Sequence, residues 1–100
     1  MSILNSVMLE EYDRIKRIIS KIDVELNEIP KGYISKKKIN EKIYHYLQYR
    51  EKGKIKSKYI KGDDVELYIN LIEHRNDLLL KKKGLEADIK KLEKVLGLEK

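Results

Sequence analysis

Tyr44-His45-Tyr46-Leu47-Gln48-Tyr49-Arg50-Glu51-Lys52-Gly53-Lys54-Ile55-Lys56-Ser57-Lys58-Tyr59-Ile60 is the stretch on which the fold turns. Tyrosine, isoleucine and leucine alternate with polar residues in two runs, the period of half-buried strands. Glu51-Lys52-Gly53 between them is turn material. A three-residue loop, with Gly53 left-handed and closing a bulge, sets Arg50 against Lys54. Tyr49 then faces Ile55, Leu47 faces Ser57 and His45 faces Tyr59, giving a largely apolar side. The other side pairs Gln48 with Lys56, Tyr46 with Lys58 and Tyr44 with Ile60. A two-residue loop would pair Leu47 with Lys58 and Tyr49 with Lys56 and mix the two sides. Register ordinarily keeps one side apolar, so the three-residue loop is expected, with Tyr46, Arg50, Lys56 and Lys58 exposed and Leu47, Tyr49 and Ile55 turned inward. Residues 33–39 supply a shorter strand, for a three-stranded antiparallel sheet within 33–61.

Working outward, the flanks read as helices. Before the sheet, Met8, Tyr12, Ile15, Ile19, Ile22, Leu26 and Ile29 recur at spacings of four and three, an a/d seam over three heptads. Ser2, Asn5 or Ser6 could cap its start. Pro30 ends it by pushing Ile29 out of helical geometry, and Gly32 follows as a joint. After the sheet, Asp63 with Glu66 three residues on resembles a capping box. One apolar stripe then runs Val65, Ile69, Ile72 and Leu79, and another runs Leu71, Leu78, Leu85, Ile89, Leu92 and Leu96. Gly84 lies inside this long helix at a cost of about 1 kcal/mol against alanine, and Gly97 stops it. The expected fold is α+β: a helix over about 3–28, the small sheet, and a long helix over about 64–96. The two helices form antiparallel coiled-coil arms within a single domain of 1–100, divided into 1–30, 31–62 and 63–100.

Charge divides along the same lines. Residues 1–30 carry four basic and six acidic side chains and residues 63–100 eight and nine, so both arms are close to neutral. Residues 31–62 carry eleven basic side chains against Glu41 and Glu51 alone, together with five of the seven tyrosines. A coding genome rich in A and T accounts for much of the lysine. It does not account for arms that balance their lysines with acids around a centre that does not. A partner selected by charge meets that centre.

Gly32-Tyr33-Ile34 and the run from Tyr44 to Ile60, read as Tyr44-x-Tyr46-Leu47-Gln48-Tyr49-Arg50-x-x-Gly53-Lys54-x-Lys56-Ser57-x-Tyr59-Ile60, resemble a family of small uncharacterised bacterial and archaeal proteins. Its pattern is a helical arm, a YYYLQYRxGKxKSxYIG hairpin and a long charged helix. His45 stands where that pattern has its middle aromatic, and Lys61-Gly62 where Gly-Lys is expected. The resemblance covers nearly the whole chain and implies no activity. A weaker likeness runs to the arm-type DNA-binding domains of tyrosine recombinases, and it implies a sheet that contacts DNA.

Several function classes find no support in the residues. Cysteine is absent, which removes disulfides and thiolate chemistry. His45 and His74 share no catalytic or metal-ligand spacing, and Asp63 and Asp64 are explained by helix capping. There is neither a phosphate-cradling glycine loop nor a nucleophile motif. A non-enzymatic protein without cofactor or metal is expected. The opening residues lack a basic leader, and no apolar run reaches the roughly 20 residues of a membrane span, so the cytoplasm is the expected setting.

Two binding classes remain. In the first, nucleic acid is bound by Tyr44, Tyr46, Gln48, Arg50, Lys52, Lys54, Lys56 and Lys58, with Lys36, Lys37 and Lys38 as an auxiliary cluster. Lysine and arginine neutralise phosphate, tyrosine stacks on bases, and Gln48 and Arg50 can read base edges. Such a protein would suit an accessory factor of a mobile element or phage. In the second, the chain is an interaction or assembly module, antitoxin-like or adaptor-like, gripping an acidic protein, and the lysines otherwise guard edge strands. The first helix is shorter by about two turns, which leaves Leu92–Leu98 without cover. A homodimer through the C-terminal helix would bury that end.

Overall fold

The computed structural model describes residues 3–98. Helix α1 (Ile3–Glu28) is followed by strands β1 (Tyr33–Ile39), β2 (Lys42–Glu51) and β3 (Lys54–Ile60), a 3-10 turn at Gly62–Asp64, and helix α2 (Val65–Leu96). This is the expected α+β order, with element limits within a residue or so of those read from periodicity. Ser2 lies outside the described residues, and Asn5 and Ser6 lie within α1.

The described residues divide into two compact units, one made of residues 3–28 and 77–98 and the other of residues 29–76. In the first, Ile15, Ile22 and Leu26 of α1 are buried, as are Leu78 and Ile89 of α2. The Tyr12 hydroxyl donates to Glu93 at 3.2 Å, and Lys82 pairs with Asp23 at 2.6 Å. Moving from residue 12 to 23 on one helix thus moves from 93 to 82 on the other, so the helices run antiparallel. That register sets Met8 near Gly97, and Leu92 and Leu96 are half-buried. The end of α2 expected to lack cover is therefore partly sheltered by the first turns of α1. The additional length of α2 lies instead at its start, in the other unit.

The two apolar stripes of α2 do not make one broad face. Val65, Ile69 and Ile72 lie in the sheet unit, with Leu71 of the second stripe half-buried there as well, whereas Leu78, Leu85, Ile89, Leu92 and Leu96 serve the helical unit; Leu79 is left 41% exposed. Helical phase drifts along the axis because 3.6 residues per turn does not divide the heptad, so one helix presents different stripes to successive partners. Gly84 sits inside without interruption. Gly97, at φ +73°, ends the helix in a Schellman pair: Leu98 N–H donates to the Glu93 carbonyl and Gly97 N–H to that of Lys94. At the start, Asp63 and Asp64 belong to the 3-10 turn, whose cap, Lys61, makes no side-chain bond. The helical path therefore begins before the expected Asp63 cap, and the two acids favour it through the helix dipole.

In the second unit the strands lie in the order β1-β2-β3, all antiparallel. Both hairpins close through two residues with positive φ, Asn40-Glu41 (50°, 68°) and Lys52-Gly53 (51°, 79°). That is the type I′ turn, whose twist matches that of the strands it joins. The three-residue loop is thereby corrected. Glu51 pairs with Lys54, Arg50 with Ile55, Tyr49 with Lys56, Leu47 with Lys58, Tyr46 with Tyr59 and His45 with Ile60. Turn chemistry set the register, and apolar matching did not. Apolar cover is needed only at the centre of the sheet, where Leu47 and Ile60 (5% and 2% exposed) pack with Ile72, flanked by Ile34, Tyr49, Val65 and Tyr68. β3 is an edge strand, where lysine is tolerated and suppresses edge-to-edge pairing.

Gly32 is a requirement of this sheet rather than a flexible joint. Its φ is +117°, and a Cβ there would lie 2.1 Å from the Gln48 carbonyl oxygen.

Candidate nucleic-acid interface

Pairing parity assigns every strand side chain to one of two faces. The core face holds Ile34, Lys36 and Lys38 from β1, Ile43, His45, Leu47, Tyr49 and Glu51 from β2, and Lys54, Lys56, Lys58 and Ile60 from β3. The start of α2 covers its middle. The outer face reads in rows across the sheet. Arg50 stands beside Ile55 at one end. Then come Tyr33, Gln48 and Ser57, next Ser35, Tyr46 and Tyr59, then Lys37 beside Tyr44, and finally Ile39 beside Lys42.

The sequence-derived site is thereby split. Tyr44, Tyr46, Gln48, Arg50 and Lys37 share the outer face. Lys54, Lys56, Lys58, Lys36 and Lys38 lie on the core face, and Lys52 sits in the turn. Ile55, expected to point inward, is on the outer face and 66% exposed. The outer face also holds Tyr33 (59% exposed), Tyr59 (52% exposed) and Lys42, none of them in the expected set. Reading Lys52-Gly53 as a two-residue turn finds Tyr59 at once, because it places that residue opposite Tyr46.

The outer face has a specific chemistry. Tyr46 and Tyr59 meet edge to face with centroids 5.7 Å apart, and Tyr44 lies tilted to Tyr59 at 6.3 Å, both inside the favourable range for aromatic pairs. The Lys37 ammonium stands 5.0 Å from the centre of the Tyr46 ring, a cation–π arrangement. The Tyr33 hydroxyl donates to Gln48 Oε1 and so ties β1 to β2 in the next row. Aromatic rings thus occupy the middle of the face, with Arg50 at one end and Lys37 and Lys42 at the other.

On the core face the lysines are held differently. Lys56 pairs with Glu51 at 3.5 Å. Lys58 donates to the Tyr68 hydroxyl at 3.3 Å and lies 5.8 Å from the centre of that ring.

The family described as a domain of unknown function, DUF6788, matches residues 9–68, which take in most of α1, the whole sheet and the first residues of α2. The chain belongs to the DUF6788 family. No curated protein and no solved structure matches it. The DUF6788 match contains every residue of the outer face and stops within the part of α2 that belongs to the sheet unit, before Ile72. Among the described residues of this DUF6788 chain, no group of three or more histidine, aspartate or glutamate side chains is arranged to hold a metal, and no helix is long and apolar enough to cross a membrane.

Proposed function

We propose that this protein is a small, non-enzymatic, cytoplasmic binding protein that engages nucleic acid through its basic, tyrosine-rich sheet. The observation that carries the reading is the outer face: three clustered tyrosine rings, a lysine ammonium on one of them, and cations at both ends, in a segment with eleven basic and two acidic side chains. Rings offer stacking surface to bases, and cations replace the counterions that phosphates release. An accessory role in a mobile element or phage fits a module of this size. Equilibrium binding of a labelled oligonucleotide tests it. Affinity is expected to fall steeply with salt and to drop on Lys37→Glu with Arg50→Glu. Salt-independent binding, or none, would remove the reading.

A second reading is favoured by a different observation. Ile3, Leu4, Val7, Val95 and Leu98 are all exposed, and the antiparallel register brings both groups to the same end of the helical unit. Such a tip suits a protein partner or a second copy of the chain, including a homodimer through α2. Light scattering at micromolar concentration separates the cases, since one chain has a mass of 11.9 kDa.

A further inference from the structure

Resting on that nucleic-acid reading, the geometry points to an unpaired strand as the ligand, with Tyr33 and Tyr59 as the rings that take its bases. The four outer-face tyrosines are not equivalent. The Tyr46 ring carries the Lys37 ammonium, and Tyr44 and Tyr46 are half-buried against Tyr59. Tyr33 and Tyr59 are each more than half exposed and stand on the two edge strands, one row apart. Strand separations near 4.8 Å and same-face repeats near 6.7 Å put them roughly 12 Å from each other.

That spacing decides between single and double strands. Bases in a duplex are stacked about 3.4 Å apart along each strand with their faces covered. A protein ring can reach such a face only after a base is unstacked and unpaired. An extended single strand crossing the sheet diagonally presents open base faces at separations of this order. Its phosphates then pass between Arg50 on one side and Lys37 and Lys42 on the other. The three-stranded centre also fits a duplex groove badly. The roughly 12 Å major groove admits a two-stranded ribbon, whereas three strands span about 10 Å between outer axes before any side chain is counted. A role for Tyr33 and Tyr59 follows from face, exposure and spacing together.

The experiment compares fluorescence anisotropy of a labelled twelve-nucleotide oligothymidylate, the corresponding oligouridylate and a blunt twelve-base-pair duplex, with heparin as a plain polyanion. Either single strand is expected to bind roughly tenfold or more tighter than the duplex. Tyr59→Leu and Tyr33→Leu should each cost roughly tenfold on the single strands and leave the duplex unchanged, whereas Tyr59→Phe, which keeps the ring, should retain binding. Both positions are exposed, and amide spectra of each variant establish that the sheet persists. Equal binding of single strand and duplex, a preference for heparin, or indifference to both leucine variants in a folded protein would overturn the inference while leaving charge-driven nucleic-acid binding intact. Failure to bind any of the nucleic acids would remove the underlying reading as well.

Discussion

The helical unit and the sheet unit both carry many cations but satisfy them differently. In the helical unit Lys82 meets Asp23 and Arg14 meets Glu11. The Arg14 guanidinium, hydrogen-bonded to the Glu11 carboxylate, holds that carboxyl below its ordinary value, and the bond to Asp23 raises Lys82 above the usual lysine value. In the sheet unit acids are scarce. Lys37 rests on a tyrosine ring, Lys58 reaches a tyrosine hydroxyl, and Lys56 has Glu51. Charge neutralised within the helical unit serves solubility and register. Charge set against rings, at the ends of an open face, remains available to an anionic partner.

The first way to break this contrast is Gly32→Ala. A Cβ pressed against the Gln48 carbonyl oxygen, at a positive φ, should destabilise the sheet by about 3–5 kcal/mol. Amide exchange should accelerate through β1 and β2 while α1 and residues 77–96 of α2 stay protected; uniform loss of protection would show the two units to be one cooperative body. Leu47→Ala comes next, at about 2–5 kcal/mol in chemical denaturation, because Leu47 anchors the small core with Ile60 and Ile72. Lys52→Asn is a smaller effect of opposite sign. Asparagine suits the first position of a type I′ turn, so a gain of roughly 0.5 kcal/mol is expected; a loss would favour a three-residue loop. The smallest effect belongs to Lys82→Met, which removes a half-buried, solvent-screened ion pair, keeps the apolar stem and should scarcely move the denaturation midpoint. With its folded value raised, whatever Lys82 contributes is present at neutral pH and fades as the pH climbs through the lysine range.

The helices were legible because their information is local and redundant. Six apolar positions of 3–4 spacing, Met8 to Leu26, define one face of α1, and Pro30 and Gly97 mark its end and that of α2. The sheet was legible as strands, but its faces hung on the length of one turn. Glu51-Lys52-Gly53 admits two- or three-residue closure, and a one-residue change moves Lys54, Lys56 and Lys58 from beside Tyr46 to beside Leu47. The argument from apolar matching failed because a sheet covered by three turns of one helix needs only a central apolar spot, and lysines can border it. Tyr59 was hidden by the same parity error, and Tyr33 by the lack of any signal for the register of the first strand.

The most direct test of the outer face as the binding surface is a heteronuclear NMR titration of the protein with a short oligonucleotide. The account predicts shifts concentrated on Tyr33, Lys37, Tyr44, Tyr46, Arg50 and Tyr59, with α1 and residues 77–98 unaffected. Shifts centred on Lys54, Lys56 and Lys58, or on the apolar tip near Val7 and Val95, with the tyrosines silent, would contradict it.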